Sequence, residues 1–518
     1  MTQPDFTRVP AVEGYTGAQS YRAGDVVTVR CASRAPLFDA RITRVGAERI
    51  EVHTVEGVRG HDQPVPDRAW EAGCGWEDTF AFTVGNDWPS GFYEIELRAR
   101  GEAEADWRGA GHAFFTVLGR RPDPERPLLL LSTNTYQAYN QWGGRCMYTG
   151  AREVSFDRPL ERGYLRRPAA PFDTEYDGRL ADTTGNDRDH DRLVEYQRHH
   201  SYPLWTSSSG WHNWERRFVR WAEAAGFGID VATNDDLHDG PDVLAGRRLV
   251  LSVGHDEYWS WEMRDHIDQF VDSGGNWAVL SGNTCFWQVR LDTDGRTMTC
   301  FKGTARARDP LRHTDPQRLT SMWSDPVIGR PENSTTGLSF TRGGYASVGD
   351  ATPRSAGGFE IQRPGHWSLA GTGLRYGDQL GAGSHVVGYE VDGCELTMRE
   401  GLLVPTGGDG TPEDLEVIGT APAHLLSITD EVCEAPASIW ASVAPPGDLE
   451  GVAAVLFGPN PEPEQVAALG RGRAVIGEFR RGAGSVFIAG TADWAYGLDT
   501  DHAVQTVTAN VIRRYLRA

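Results

Sequence analysis

A histidine and a glutamate stand two positions apart in the sequence GHDEYW, residues 254–259. In an extended backbone, residues i and i+2 point to the same side, so the imidazole of His255 and the carboxylate of Glu257 can share one cavity. They could be two ligands of one metal ion, or one ligand and the neighbour that orients it. A hydrogen-bonded loop pair without a catalytic role is the more common origin of such spacing.

Tyrosines recur beside the predicted ends of strands. Tyr136 and Tyr139 lie in NTYQAYNQWGG, while Tyr148 and Tyr176 lie in the polar stretch 145–210. Phenolate and carboxylate are hard oxygen ligands that suit a trivalent cation such as Fe(III). The charge of the metal would drive off the phenolic proton, whose usual pKa is about 10. Any single tyrosine is more often a core or surface aromatic.

The familiar catalytic motifs are missing from the sequence, which has no H-E-x-x-H, no cysteine cluster, no G-x-S-x-G and no phosphate-binding glycine loop. This argues against zinc proteases, serine hydrolases and the commonest nucleotide enzymes. The formal charge of −21 argues against nucleic acid or an anionic membrane as a partner. The seven scattered cysteines, together with an N-terminus without signal-peptide features, predict a cytoplasmic protein with reduced thiols.

A β-α-β unit positions the first cluster. Leu249–Val253 is typical of a buried strand, Ser260 of a helix N-cap, and Trp277–Leu280 of a second strand that ends before Asn283. Such units give parallel strands, and ligands bind outside the carboxyl ends of parallel strands. Leu128–Leu131 predicts a third strand of the same sheet, followed by a loop that carries the tyrosines. The predicted site is therefore one rim of a sheet.

Other stretches predict the remaining architecture. Residues 1–120 alternate in the strand period and indicate an immunoglobulin-like β-sandwich, for which we expect either a docking or oligomerisation role or plain packing. Residues 300–415 indicate a β-rich insertion. Further predicted elements are strands at 437–443 and 452–457, a hairpin of 474–479 with 485–490, and a closing helix at 504–516.

Lysine occurs once in the sequence, at Lys302, among 51 basic lysine and arginine residues. One explanation is the base composition of the genome. The explanation that we favour is that this position needs a compact ammonium group rather than a planar guanidinium.

Three motifs carry a resemblance to a known family. GHDEYWS, the later LSGN and the upstream NTYQAYNQWGG resemble the large (β) subunit of N,N-dimethylformamidase and its relatives. The resemblance extends over most of the chain and is densest from Leu128 to Lys302. It implies a hydrolase of a small amide. Two alternatives stay open: another C–N bond hydrolase on the same scaffold, and a non-enzymatic carbohydrate-binding or ligand-binding protein.

The resemblance also implies roles for individual residues. The family holds one iron ion with two tyrosines and a glutamate, and these match Glu257, Tyr139 rather than Tyr136, and Tyr176 ahead of Tyr148. His255 matches a histidine beside the metal. Asn283 and Lys302 match polar residues that would stabilise an oxyanion, and Glu390 in GYEVD matches an acidic residue that serves as base or substrate anchor.

The predicted fold class is therefore multidomain. A sandwich at 1–120 precedes an α/β domain at 121–518, which has a mainly parallel, glutamine-amidotransferase-like sheet. The family enzyme works with a small second subunit, so the resemblance implies such a partner. We also expect a homo-oligomer, because the sandwich makes self-association reasonable.

Overall fold

The computed structural model describes residues 10–102, 107–167, 197, 202–347, 353, 355–427 and 448–517. Tyr176 and the strand predicted at 437–443 lie outside these residues. No helix in the described ranges is long and apolar enough to cross a membrane. The six cysteines described in these ranges are buried and unpaired.

Two sheets form the N-terminal part of the chain. One has three strands in the order β1-β3-β6 and the other has five in the order β2-β8-β7-β4-β5. Alternating side chains of strands β3, β4 and β7 fill the core between them. The elements are β1 Val12–Thr16, β2 Ser20–Tyr21, β3 Val26–Ser33, β4 Leu37–Val45, β5 Arg49–Arg59, α1 Ala69–Ala72, β6 Asp78–Thr83, β7 Gly91–Ala99 and β8 Ala110–Val117.

A nine-stranded sheet organises the rest, in the order β11-β9-β12-β14-β25-β24-β23-β18-β19. The first elements of this part of the chain are β9 Leu128–Leu131, α2 Thr133–Tyr139, β10 Glu153–Ser155, α3 Glu215–Ala224, β11 Asp230–Thr233, α4 Asn234–Asp239, β12 Leu249–His255, β13 Tyr258–Ser260, α5 Trp261–Asp272, β14 Asn276–Gly282, β15 Trp287–Leu291, β16 Thr297–Thr299, α6 Ala305–Arg308 and α7 Asn333–Thr336.

The later elements are β17 Ser339–Tyr345, β18 Phe359–Ile361, β19 Gln379–Leu380, β20 Glu390–Gly393, β21 Leu396–Arg399, β22 Leu402–Pro405, β23 Glu416–Ala423, α8 Asp448–Phe457, α9 Pro463–Leu469, β24 Gly472–Arg481, β25 Gly484–Ile488, α10 Trp494–Thr500 and α11 His502–Arg517. Three smaller groupings accompany the main sheet: β10-β16-β15-β13, β17-β20 and β21-β22.

The central β-α-β unit is confirmed. Strands β12 and β14 are parallel, and every residue in both is buried. The Ser260 hydroxyl accepts the Met263 backbone N–H at 3.2 Å, so the predicted N-cap begins helix α5. The predicted hairpin is also present as β24 and β25, and the closing helix as α11.

Three features differ from the sequence predictions. The sheet is parallel only from β11 to β25, and its other half is antiparallel because β24, β23, β18 and β19 return as hairpins or edge strands. Residues 452–457 belong to helix α8 and not to a strand, because a short apolar run fits either element. The segment predicted as a loop after β9 is helix α2, all of whose residues are buried. Burial there outweighs the low helix propensity of its threonines and tyrosines.

The sandwich packs on the α/β domain through stacked aromatic rings. Phe92 of β7 lies 4.0 Å from Trp211, centroid to centroid, with 4° between the ring planes, and neither side chain is more than 1% exposed. Trp211 belongs to the loop between Ser207 and α3 that lines the site described below. The sandwich therefore supports a loop of the site.

Replacing Phe92 with alanine should lower the free energy of unfolding by about 3–5 kcal/mol, because it leaves a cavity between two packed units. Denaturant-induced unfolding measures this change. Phe457→Ala is the matched control, since Phe457 is 37% exposed and should change stability far less. Equal losses for the two variants would contradict the packing role of Phe92.

Candidate metal centre and active site

Strands β12 and β14 end side by side and place the first polar side chains. Their parallel register pairs His255 with Gly282. Glu257 follows the end of one strand and Asn283 follows the other, as the β-α-β pattern predicts. All three polar side chains are at most 3% exposed, so they form a buried cluster rather than a surface patch.

Glu390 reaches the same rim from strand β20, 107 residues after Asn283. Its carbonyl oxygen accepts the backbone N–H of Ala492 at 2.9 Å, which fixes β20 against the segment that follows strand β25. A Cβ atom at Gly282 would lie only 2.3 Å from that carbonyl oxygen. Glycine at position 282 therefore allows the backbones at Gly282 and Glu390 to pack in contact, and this packing places the Glu390 carboxylate in the site.

The His255 ring lies between two carboxylates. Its Nε2 is 2.6 Å from an oxygen of Glu390 and 3.4 Å from an oxygen of Glu257. Its Nδ1 is 2.9 Å from the carbonyl oxygen of Ser208, which can only accept, so Nδ1 carries a hydrogen. Asn283 donates from Nδ2 to the same Glu390 oxygen at 3.1 Å. His255 thus contacts Glu390 more closely than Glu257, the residue that it was predicted to orient.

The buried histidine is positively charged at neutral pH. Burial lowers the pKa of His255, but the carboxylates of Glu390 and Glu257 and the Ser208 carbonyl outweigh this effect and raise it to about 9. Burial raises the pKa of Glu257, and the positive charges of His255 and Lys302 oppose that rise. The charged His255 ring therefore lies in one cluster with the Glu257 and Glu390 carboxyl groups and the Lys302 amine.

Tyr139 and Tyr148 meet beside Glu257. The Tyr148 hydroxyl donates to a Glu257 oxygen at 2.6 Å, and the Tyr139 hydroxyl lies 2.9 Å from the Tyr148 oxygen. A third phenol, Tyr258, lies 3.0 Å from the Tyr148 oxygen. Burial is the largest effect raising the pKa of each phenol well above 10, and the Glu257 carboxylate adds to it. Without a bound cation all three phenols are neutral at physiological pH.

The single lysine lies over this tyrosine group. The Lys302 Nζ is 3.2 Å from the centroid of the Tyr148 ring and 5.2 Å from the centroids of Tyr258 and Trp287. It makes no hydrogen bond in the described structure, and burial lowers its pKa. Lys302 and Asn283 both have left-handed backbones, with φ of 50° and 48°. Such strained non-glycine residues are typical of functional sites.

Tyr136, the alternative to Tyr139, points away from this cluster. Its hydroxyl donates to Glu215 at 2.7 Å, and the Ser132 hydroxyl donates to the same carboxylate oxygen at 2.8 Å. Two residues that share helix α2 therefore have separate environments. The described contacts place Tyr139 and Tyr148 beside Glu257.

Three residues near the site had no predicted role. Trp205 packs on Tyr139 and Tyr148, with ring centroids 5.7 Å and 5.1 Å apart. Ser208 supplies the carbonyl for His255, and no pattern in its serine-rich stretch indicates this. Asp392 stands two residues after Glu390 on the same strand, so its spacing offered a signal.

The donor set fits a trivalent oxygen-binding cation. One carboxylate and two phenolates carry three negative charges, which would balance a buried Fe(III) ion. The second oxygen of Glu257 is buried, lies 3.4 Å from His255 Nε2 and accepts no hydrogen bond from the described residues, so it is the Glu257 oxygen that could bind a cation. Tyr139, Tyr148 and Glu257 are therefore the described residues that could hold the metal.

A second group of possible ligands lies on the sandwich, where oxygen and nitrogen atoms of Glu94, Glu96 and His112 lie within 4.8 Å of one another. Arg49 forms an ion pair with Glu94, and Arg166 lies 2.6 Å from an oxygen of Glu96. These guanidinium groups already neutralise the carboxylates, so this group is a weaker metal site than the tyrosine group.

Comparison with known proteins identifies one family. A family model described as N,N-dimethylformamidase beta subunit-like, C-terminal, matches residues 40–507. The N,N-dimethylformamidase beta subunit of Alcaligenes sp is 24% identical over 337 residues, which cover 56% of this chain and 42% of that protein. The same subunit of Paracoccus aminophilus is 24% identical over 336 residues, with the same shares. The match therefore spans less than half the length of each relative.

The Glu215 carboxyl should make stability depend on pH. Burial raises its pKa from 4.5 to about 7, so the unfolded chain releases this proton at lower pH than the folded chain does. Its contribution to stability is complete below pH 4.5 and is lost as the pH rises to about 7. Glu215→Gln should reduce the decline in unfolding free energy over that range by on the order of 3 kcal/mol.

Denaturant unfolding on either side of that range measures the effect. Glu360→Gln is the control, because Glu360 is exposed on strand β18 and should leave the decline unchanged. An identical pH dependence in wild type and Glu215→Gln would show that the Glu215 carboxyl is not held protonated.

Proposed function

Because the chain belongs to the N,N-dimethylformamidase beta subunit-like family, we propose that it is a metal-dependent hydrolase of a small linear amide. The reaction adds water across the C–N bond and gives a carboxylate and an amine. The observation that carries this proposal is the buried contact of His255 with Glu390, next to the group of Tyr139, Tyr148 and Glu257.

Glu390 is the proposed general base. It would take a proton from the attacking water and pass it to the nitrogen of the leaving amine, so that the carboxylate is restored at the end of the cycle. The His255 imidazolium and the Asn283 amide hold it in one orientation. The burial of the Glu390 side chain keeps other water molecules from competing for the proton.

Lys302 and Asn283 are the proposed donors to the oxyanion that forms on the amide carbonyl oxygen. The Lys302 ammonium has no hydrogen-bond partner among the described residues, so its hydrogens are available. Asn283 uses one amide hydrogen on Glu390 and retains another. Iron(III), when bound by Tyr139, Tyr148 and Glu257, would supply a Lewis acid at this position.

The alternative of a tryptophan-lined carbohydrate groove finds little support. Six of the tryptophans are fully buried core residues and line no open surface: Trp205, Trp211, Trp259, Trp277, Trp323 and Trp494. Cleavage of another kind of C–N bond is the second candidate, because this chain is 24% identical to the two relatives and the match covers 42% of each. A screen of small formamides, acetamides and other C–N substrates decides between them.

We further propose a small partner subunit. The relatives carry the name beta subunit, and that name refers to one chain of an assembly. Self-association through the sandwich and a cytoplasmic location remain predictions. Size measurement of the purified chain, alone and with a coexpressed small subunit, tests the assembly.

Metal content tests the proposed ligands. Protein purified without chelator or nickel resin should contain about one iron per chain and show a broad visible tyrosinate band. Tyr139→Phe, Tyr148→Phe and Glu257→Gln should each lower the iron content and weaken the band, because each removes a charged ligand. Mass spectrometry and the visible spectrum of one sample provide both measurements.

Tyr176→Phe is the matched comparison, since the family pattern suggested Tyr176 where the described contacts favour Tyr148. Loss of the band in Tyr176→Phe but not in Tyr148→Phe would assign the second ligand to Tyr176. Retention of both iron and activity in Glu257→Gln would refute the hydrolase site as proposed.

Replacement of Glu390 tests its assignment as the general base. Glu390→Gln keeps the side-chain shape but cannot accept the water proton, so kcat should fall by about 10²–10⁴-fold while the iron content stays unchanged. Steady-state kinetics and metal analysis of the same sample measure this. Glu360→Gln is the control and should keep full activity. A Glu390→Gln enzyme with wild-type kcat would assign the base elsewhere.

A further inference from the structure

Asp392 has a buried carboxyl group beside the proposed base. It lies two residues after Glu390 on strand β20 and is 0% exposed. Its two oxygens accept the backbone N–H groups of Asn283 at 2.9 Å and Thr284 at 3.2 Å. Both bonds go to the turn that follows strand β14, so Asp392 ties this turn to β20.

That turn has a strained backbone. Asn283 has φ of 48°, a left-handed conformation that a side chain with a Cβ atom seldom adopts unless its surroundings impose it. The two hydrogen bonds to Asp392 act on the amide groups on either side of the Asn283 Cα atom. They are the contacts best placed to hold it in this conformation.

The strained conformation directs the Asn283 side chain at the base. In it, Asn283 Nδ2 donates to Glu390 Oε2 at 3.1 Å, the same oxygen that lies 2.6 Å from His255 Nε2. Strand β20 therefore carries both Glu390 and the Asp392 carboxyl group, which positions the hydrogen-bond donor of Glu390. The backbone of β20 is itself fixed where Asp392 donates its N–H to the Gly490 carbonyl oxygen at 3.0 Å.

We propose that Asp392 is a positioning residue for the hydrolase, which holds Asn283 in its left-handed conformation so that the Asn283 amide orients the Glu390 carboxylate. Asp392 does not touch substrate and acts only through Asn283. The inference rests on the proposed function, because it assigns Asp392 to the same reaction.

A double-mutant cycle separates this role from simple stabilisation. Asp392→Ala should lower kcat by about 10- to 100-fold with little change in KM, because the base remains present but loses its orientation. Asp392→Asn, which keeps one acceptor oxygen, should lose less. Combining Asp392→Ala with Asn283→Ala should lower kcat no further than Asn283→Ala alone, because Asp392 acts only through Asn283.

Glu332→Gln is the matched control. Glu332 is also fully buried and accepts hydrogen bonds from the hydroxyls of Ser324 and Ser339. Among the described residues, no hydrogen bond or ion pair joins it to His255, Asn283 or Glu390. The Glu332→Gln variant should be less stable than the wild type and should keep a kcat near the wild-type value. Multiplicative losses in the Asp392 and Asn283 double variant, or an unchanged kcat in Asp392→Ala, would overturn the proposal.

Hydrogen exchange tests the positioning role of Asp392 without measuring the proposed reaction. In a peptide that covers residues 281–286, the Asn283 and Thr284 amides should exchange at least about tenfold faster in Asp392→Ala than in wild type, and no faster in Glu332→Gln. Unchanged exchange would refute the positioning role. Faster exchange in a protein without amide hydrolase activity would keep the positioning role and reject the proposed function.

Discussion

The ion pair between His255 and Glu390 is the interaction on which the rest of the site depends. Both side chains are at most 3% exposed, so their charges have lost the stabilisation that water provides. Removing one partner of such a buried pair costs about 3–5 kcal/mol, because the other charge is left uncompensated. The pair is stable here because the Ser208 carbonyl accepts from the other ring nitrogen and Asn283 donates to the carboxylate. Each of these partners lies on a different segment of the chain.

The segments that form the site come from different layers of the fold. The parallel half of the sheet places His255 and Asn283, whereas strand β20, which pairs with β17 outside that sheet, places Glu390 at the same rim. The sandwich contacts the loop that carries Ser208 through the stacked rings of Phe92 and Trp211. It therefore takes part in building the site, in addition to any role in assembly.

Patterns within short stretches of sequence predicted the part of the site that is formed by residues close together in the chain. A strand, a capped helix and a second strand follow from periodicity, and their connection places Glu257 and Asn283 on one rim. The contact of Glu390 with this rim joins residues 107 positions apart, and only the family resemblance indicated it. The choice between Tyr136 and Tyr139 depends on a Glu215 carboxylate that no local pattern relates to either tyrosine. Helices α2 and α8 were missed because the local pattern of so short a segment does not identify it as a helix.

Anomalous diffraction at the iron absorption edge, on crystals of protein purified without chelator, tests the central claim most directly, because it locates the metal without reference to activity. We expect one anomalous peak per chain, among the oxygen atoms of Tyr139, Glu257 and Tyr148. A peak at Glu94, Glu96 and His112 on the sandwich, or no peak in iron-incubated crystals, would contradict the account.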